Sequence, residues 1–514
     1  MSLTVGQPYM AGLGMPTSLT ALIWLSGPLS GALVQPVFAA LSDRTQHPWG
    51  RRKPYIAGGA SFVCLSLLGF ACAEDVSNWF SGSQPSHHHV YASGPPKSST
   101  LTKLLVAFWA CAISVAVQPL QSGVRALTVD RCPPQQQGQA AAWSARFNGL
   151  GAMLISASAV SDISSWAPLL GDTKFKALCV LAVLALAATV LPACLLIADY
   201  PASNDYGRSG PGRRGMVTRL LAGSRSRFGE LPPITRQVCK IQFCSWLGWF
   251  AVLYYLTTYV YQVFVIDQHI HLDPSIFGSA DPRLIEMGKQ AGTRASFYFA
   301  CVTFASALTL PFVIASPSPP PSFPGSSASA SASWRPSVGR AWLLAHCLFA
   351  ALMFLTAFVH TAPAATVVVA ALGLSWAVAS WAPYTLIGAE IAGLRTGAAT
   401  TMRRGRGRGC WGEMQERGDS SDEWRRRSSS SGEGSEDEDE KGAYEEERAE
   451  DDATATIMAV HNMAISVPQI CAALVCSVLF KFVEAAGRDD PAAYAFKLAG
   501  VAAVSAAWMA KDLE

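Results

Sequence analysis

Long apolar runs alternate along this chain with short charged intervals, and each run has the length of a helix that crosses a membrane. A hydrocarbon core of ~30 Å needs about 20 apolar residues in helical form. Runs of that kind occur at Thr17–Leu41, Tyr55–Ala73, Lys103–Thr128, Ala140–Ser161, Ala177–Ala198, Ile241–Val265, Ala295–Ala315, Ala341–His360, Ala364–Ile391, Ala455–Phe482 and Ala492–Ala510, eleven in all. Met1–Gly14 is too short to cross and counts as the stub of a further helix; no cleavable signal peptide is visible. The pattern predicts an all-α polytopic membrane protein. An N-terminal helical half (1–198, first helix partial) and a C-terminal half (241–511) are joined by a central loop, 199–240, and a second polar interval, 393–452, interrupts the C-terminal half.

Composition agrees, with 50% apolar and only 15% charged residues, the charges crowded between the runs. A net charge of +3, with no basic stripe alternating with aromatics, argues against nucleic acid as a partner and leaves the lipid bilayer and a small molecule. The thirteen cysteines are scattered without a C-x-x-C pair and read as small buried side chains. His87–His89, in a Ser/Pro/Gly-rich loop, read as solvated rather than as metal ligands. No nucleophile–base pair or ligand cluster suggests an enzyme or a bound cofactor. Orientation follows from the cations: Arg44, Arg51, Arg52 and Lys53 in 42–54, and Arg208, Arg213, Arg214, Arg219, Arg225, Arg227 and Arg236 in 199–240, mark those loops as cytoplasmic. Both termini then lie inside, in a multi-pass protein of the plasma membrane.

Candidate chemistry centres on Ser122–Met153. Arg125, Asp130 and Arg131 lie near one end of an apolar helix and Arg146 within the next. An ionisable group at membrane depth costs a few kcal/mol, so it usually faces a cavity on an ion or substrate path. Gln118, Gln121, Arg125 and Thr128, at i, i+3, i+7 and i+10, form a polar stripe that lipid would reject. Asp130 lies about 120–140° around the same helix, on the face of Pro119, Gly123 and Ala126, where small residues admit a close neighbour. The plainer reading, that Asp130 sits at the surface where Pro133 and Pro134 end the helix, stays open. Burial favours a protonated carboxyl and a nearby cation an ionised one. Proton coupling can therefore proceed by exchange of partners: Arg125 or Arg146 neutralises Asp130 in one conformation and turns to substrate hydroxyls in the other, while Asp130 holds a proton.

Gln242, Trp246, Trp249, Leu253 and Thr257 recur at helical spacing, offering aromatic rings to the apolar face of a substrate and amides to its hydroxyls. Trp381 and Tyr384 offer an opposite wall, and Gln118 and Gln121 further hydroxyl partners; an aromatic belt or plain packing is the alternative. His461, Asn462, Pro468 and Gln469 read either as a cavity wall or as a satisfied packing pair, and Glu390 as a helix-end charge.

The loop L-S-D-R-T-Q-H-P-W-G-R-R-K-P, Leu41 to Pro54, carries Asp43, Arg44, Gly50, Arg51 and Arg52. It resembles the signature of the major facilitator superfamily for the loop between the second and third helices. Asp43 could pair with cations across the loop and latch helix ends in one conformation; a positive-inside anchor is the alternative. Gly6–Arg44, V-R-A-L-T-V-D from Val124, I-Q-F-C-S-W-L-G-W-F from Ile241, L-S-W-A-V-A-S-W-A-P-Y-T-L-I-G-A-E-I from Leu374 and H-N-M-A-I-S-V-P-Q from His461 extend the likeness. Together they resemble the proton-coupled sucrose and α-glucoside transporters of the glycoside-pentoside-hexuronide group, especially fungal members. The resemblance implies the major facilitator fold, two six-helix halves around a mid-membrane site. It also implies symport of sucrose or a related α-glucoside such as maltose by alternating access, with protons as the coupling ion and no other cofactor. The chain departs from the pattern at Gln290, beside Lys289, in place of Arg, at Gln262 in place of Glu, and at Ala141 in place of Asn. These departures keep a second reading in view, a non-transporting sugar sensor of the same fold that signals through 393–452. The shortened first helix, with Gln7 and Pro8 at mid-membrane depth, leads us to expect an apolar half-helix encoded upstream of Met1.

Residues 393–452, with R-R-G-R-G-R-G followed by serine and acidic blocks, are too charged to bury a core, and disorder is expected there. Its serines suit a kinase or other regulatory partner. Pro317–Ser337, rich in Pro, Ser and Ala, reads as a flexible loop.

Overall fold

The computed structural model describes residues 6–15, 17–81, 99–132, 136–161, 170–199, 231–271, 282–315, 335–415, 435–488 and 490–513, and among them helices are the only regular elements. A stub, α1 (Gln7–Gly12), precedes α2 (Thr17–Asp43), α3 (Lys53–Ala71), the short α4 (Ala73–Ser81), α5 (Thr100–Arg131), α6 (Gln137–Val160) and α7 (Lys174–Leu196). The second group is α8 (Pro233–His271), α9 (Pro282–Val313), α10 (Val338–Leu355), α11 (Ala362–Gln415), α12 (Ser435–Ala485) and α13 (Pro491–Ala510). Ten of these helices are long and apolar enough to cross a membrane by length and composition. The long helix outside that set is α6, which carries Gln137, Gln139, Arg146 and Asn148 among its apolar residues.

Where helices begin, side chains satisfy backbone N–H groups that have no partner within the helix. Ser99 accepts from Thr102 N at 3.1 Å to start α5, and Ser337 accepts from Arg340 N at 3.2 Å to start α10. The interval 393–452 departs from expectation: α11 runs through Gln415 and α12 begins at Ser435, so residues 393–415 and 435–452 are helical rather than disordered. Glu, Ala, Lys and Arg are strong helix formers, acidic residues at the start of α12 complement its dipole, and an adjoining apolar helix supplies the nucleus. Side chains of 392–456 lie outside the described residues, as do residues 82–98 with His87–His89, most of the central loop with Arg208–Arg227, and 316–334.

In the first half α5 packs against α2 and α3, and α3 against α7. The α3–α5 crossing rests on Gly123, where an added Cβ would stand 2.6 Å from Ile56 Cγ1, so the backbones approach as the small-residue face predicts. In the second half α8 packs on α13, α12 and α9, around a core of Trp249, Tyr259, Phe349 and Phe496. The halves meet where α2 touches α12 and where α6 touches α9 and α11. The stub is anchored by Tyr9, stacked on Phe175 at 3.9 Å.

Candidate functional site: a charged cleft between the halves

A cleft opens where α2, α5 and the α2–α3 loop of the first half face α11 and α12 of the second. It holds Asp43, Arg51, Arg52, Arg125 and Asp130, with Ser122, Tyr384 and His461. Three arginines there face two carboxylates.

The carboxylates are both engaged by the loop. Arg52, 4% exposed, donates from Nε to Asp130 Oδ2 at 3.0 Å and pairs through Nη1 with Asp43 at 2.5 Å. Arg51 Nη2 lies 3.0 Å from Asp130 Oδ2. Burial works against the Arg52 charge, but Asp43 and Asp130 outweigh it and hold the guanidinium above its ordinary pKa. Arg52 Nη1 also donates to Ser42 Oγ at 2.9 Å. A buried ion pair is retained only when its geometry and remaining hydrogen bonds are good, and removing one partner strands the other. Asp43 thus pairs with a cation across the loop, and α2, α3 and α5 are tied at one arginine. Arg44, half-buried, is not among the lining residues.

The loop is shaped by a residue outside the sequence reading. Asp199, beyond the end of α7, accepts from Arg52 N at 2.7 Å and Lys53 N at 3.0 Å, capping α3. Gly50 has φ +104°, a conformation L side chains rarely adopt, and a Cβ there would run into the Asp199 carboxylate. Neither contact is visible in spacing, because it joins positions far apart in the chain.

Asp130 lies on the predicted interface face, its side chain 15% exposed. Its arginine partners differ from those expected. Arg146 turns away: its Nε is 3.4 Å from Ala307 O on α9, and its guanidinium lies over Trp143 at 4.6 Å and Phe312 at 5.6 Å. Helical periodicity places Arg146 on a face of α6 but does not say which neighbour covers that face, and here it is α9. Arg125 lines the cleft with its guanidinium 5.3 Å from the centre of the Tyr384 ring, across the interface between halves. Among the described residues it has no carboxylate partner.

The polar stripe of α5 divides. Gln118 is buried, donating to Ser114 O at 2.9 Å with its Oε1 unpartnered among the described residues, while Gln121 is exposed and outside the cleft. The aromatic candidates divide too. Trp249 stacks on Phe349 at 4.1 Å inside the core of the second half, and Trp381 packs in the neighbouring core; neither lines the cleft. Trp246 packs edge-on to Trp376 at 5.6 Å, beside the core. A ring buried on all sides has no face left for a sugar, so Trp249 and Trp381 are corrected to packing roles, while Trp246 is half-buried and is not among the residues that line the cleft. Trp249→Ala should destabilise the fold by about 3–5 kcal/mol whereas Trp249→Phe should keep wild-type uptake; thermal melts and uptake assays on both variants check this.

Gln242, 2% exposed, lies with Nε2 3.5 Å from Nε2 of the cleft-lining His461 and is itself behind the cleft wall. Glu390 caps α8, accepting from Ile234 N at 2.8 Å, Thr235 N at 2.7 Å and Thr235 Oγ1. Gln262 accepts from Ala492 N at 3.2 Å at the start of α13, Gln290 bonds Glu286 at 3.3 Å on an exposed surface, and Ala141 packs against the core. The departures from the family pattern therefore lie outside the cleft.

No family model matches the chain. The general alpha-glucoside permease of Schizosaccharomyces pombe is 24% identical across 100% of this chain and 90% of its own length. Sucrose transport protein SUT5 of Oryza sativa subsp. indica is 26% identical over 51% of this chain and 49% of its own length. Sucrose transport protein SUT2 of Oryza sativa subsp. japonica is 27% identical over 51% and 52%. The match to the rice proteins thus spans about half of their length. Among solved structures, the major facilitator transporter FucP in its outward conformation aligns over 99% of this chain and 94% of its own, with a TM-score of 0.52 at 13% identity. The proton:xylose symporter XylE bound to 6-bromo-6-deoxy-D-glucose aligns over 99% and 89%, with a TM-score of 0.50 at 12% identity. At such identities the structural likeness speaks for the fold alone. The relatives in sequence are transporters and not enzymes. The chain is a multi-pass membrane protein with the fold of the major facilitator superfamily, similar in sequence to α-glucoside and sucrose transporters.

Proposed function

We propose that the protein carries sucrose or a related α-glucoside such as maltose across the plasma membrane together with protons, by alternating access, with both termini cytoplasmic. The observation that carries this reading is the cleft's charge arrangement: Asp130 is held by Arg51 and Arg52 of a loop that also ties α2 and α3, while Arg125 is left for substrate. The named activities of the relatives in sequence supply the substrate class.

In the conformation described, the loop arginines pair with Asp130. When the halves rock and the loop end opens, those arginines separate from α5 and a carboxylate in a poorly solvated cleft takes a proton instead. Exchange of partners is the coupling step, with Arg51 and Arg52, rather than Arg125 or Arg146, neutralising Asp130. Arg125, whose guanidinium lies over the Tyr384 ring and has no carboxylate partner among the described residues, donates to sugar hydroxyls. Gradient-driven uptake tests the reading: proteoliposomes should accumulate labelled sucrose or maltose faster with the outside acidic. Equal uptake with and without the gradient, or binding without uptake, would overturn symport.

A further inference from the structure

The wall that the second half presents to the cleft consists of Tyr384, Met458 and His461 rather than the tryptophans of α8. His461 is 1% exposed, and its ring meets the Tyr384 ring edge-on at 5.2 Å. Behind it Gln242, on a different helix, reaches Nε2 of the imidazole at 3.5 Å. The neighbouring Asn462 donates to Gly31 O on α2 at 2.6 Å, which fixes this turn of α12 against the first half. Tyr384 thus has Arg125 over its face and His461 at its edge, one group from each half of the molecule.

The chemistry of the two groups is complementary. A guanidinium only donates hydrogen bonds, whereas an imidazole donates from one nitrogen and accepts at the other, and a side-chain amide offers either partner to whichever nitrogen faces it. A sugar ring presents hydroxyls that both donate and accept, at fixed spacing around an apolar edge that a thioether such as Met458 can meet. Sites built to hydrogen-bond a hydroxyl reject the analogue that lacks it, because the buried protein group is left unpaired.

We infer that His461, oriented by Gln242, is a specificity-determining residue that bonds one particular hydroxyl of the glycoside while Arg125 bonds another on the same ring. This rests on the transport reading above and deepens it by naming the residue that selects the substrate. The histidine acts on recognition and not on the driving force, which separates it from Asp130.

The test is equilibrium binding of sucrose, maltose and their monodeoxy analogues to the purified full-length protein, wild type and His461→Leu. Wild type should lose about tenfold in affinity for one analogue of a series. His461→Leu should bind the parent sugar about tenfold more weakly and no longer distinguish it from that analogue, since the two changes remove the same bond and cannot add. His461→Asn, which keeps a polar group, carries the same comparison if the leucine variant does not fold, and should restore part of the discrimination. Losses that add for every analogue, or unchanged affinity in both variants, would overturn the inference while leaving transport intact. A wild-type protein that binds neither sugar would overturn the transport reading as well.

Discussion

Asp130→Asn will abolish accumulation of sugar against its gradient while sparing exchange of sugar across the membrane. Asparagine keeps the size and polarity of the side chain but carries no proton and no charge for Arg51 and Arg52. Arg52 retains its pair with Asp43, so the loop end keeps one of its ties and the cleft survives. The driving force does not survive. One proton moving down 100 mV supplies about 2.3 kcal/mol, and at roughly 1.4 kcal/mol per tenfold that sustains on the order of 50-fold accumulation. The variant should fall from that ratio to unity in net uptake assays while counterflow of labelled sugar stays within about tenfold of wild type. A variant that still concentrates sugar would overturn the role given to Asp130 and move the proton to another group.

Gly50→Ala has the second large effect expected. The backbone at Gly50, with φ +104°, is strained for any residue with a Cβ, at a cost of about 1–3 kcal/mol. The methyl group would also run into the Asp199 carboxylate. Shifting Asp199 uncaps α3 at Arg52 N and Lys53 N, and with them the guanidinium that bridges Asp43 and Asp130. A substitution of one methyl group in a loop should therefore lower uptake more than tenfold at matched membrane abundance. Uptake normalised to the amount of protein in the vesicles measures it, and wild-type uptake would contradict the role given to this loop.

How much of this was legible beforehand depends on the range of the contact. Membrane helices are local objects, since each must bond its own backbone in lipid, and hydropathy alone located α2 to α13 apart from the short α4. The pairing of Asp43 with Arg52 lies within one loop, and the interface face of Asp130 follows from angles on a single helix. Arg146, Trp249 and Trp381 were misjudged for a shared reason. Periodicity says which residues share a face, and only the packing of other helices decides whether that face meets a cleft, a core or α9. Asp199 and Glu390 were missed as caps because a helix start capped from a distant segment leaves no trace next to the helix it serves. The charged interval 393–452 shows the converse. Its composition excludes a core but does not exclude helix, which good helix formers continue from an apolar neighbour.

The claim that sugar and proton move together is tested most directly by the pH of the medium around vesicles held without any imposed gradient. When sucrose or maltose is added outside, the medium should turn alkaline as protons enter with the sugar, in fixed proportion to sugar uptake, and should not do so for Asp130→Asn. Sugar entry with no change in external pH, or a change of equal size in Asp130→Asn, would contradict the account.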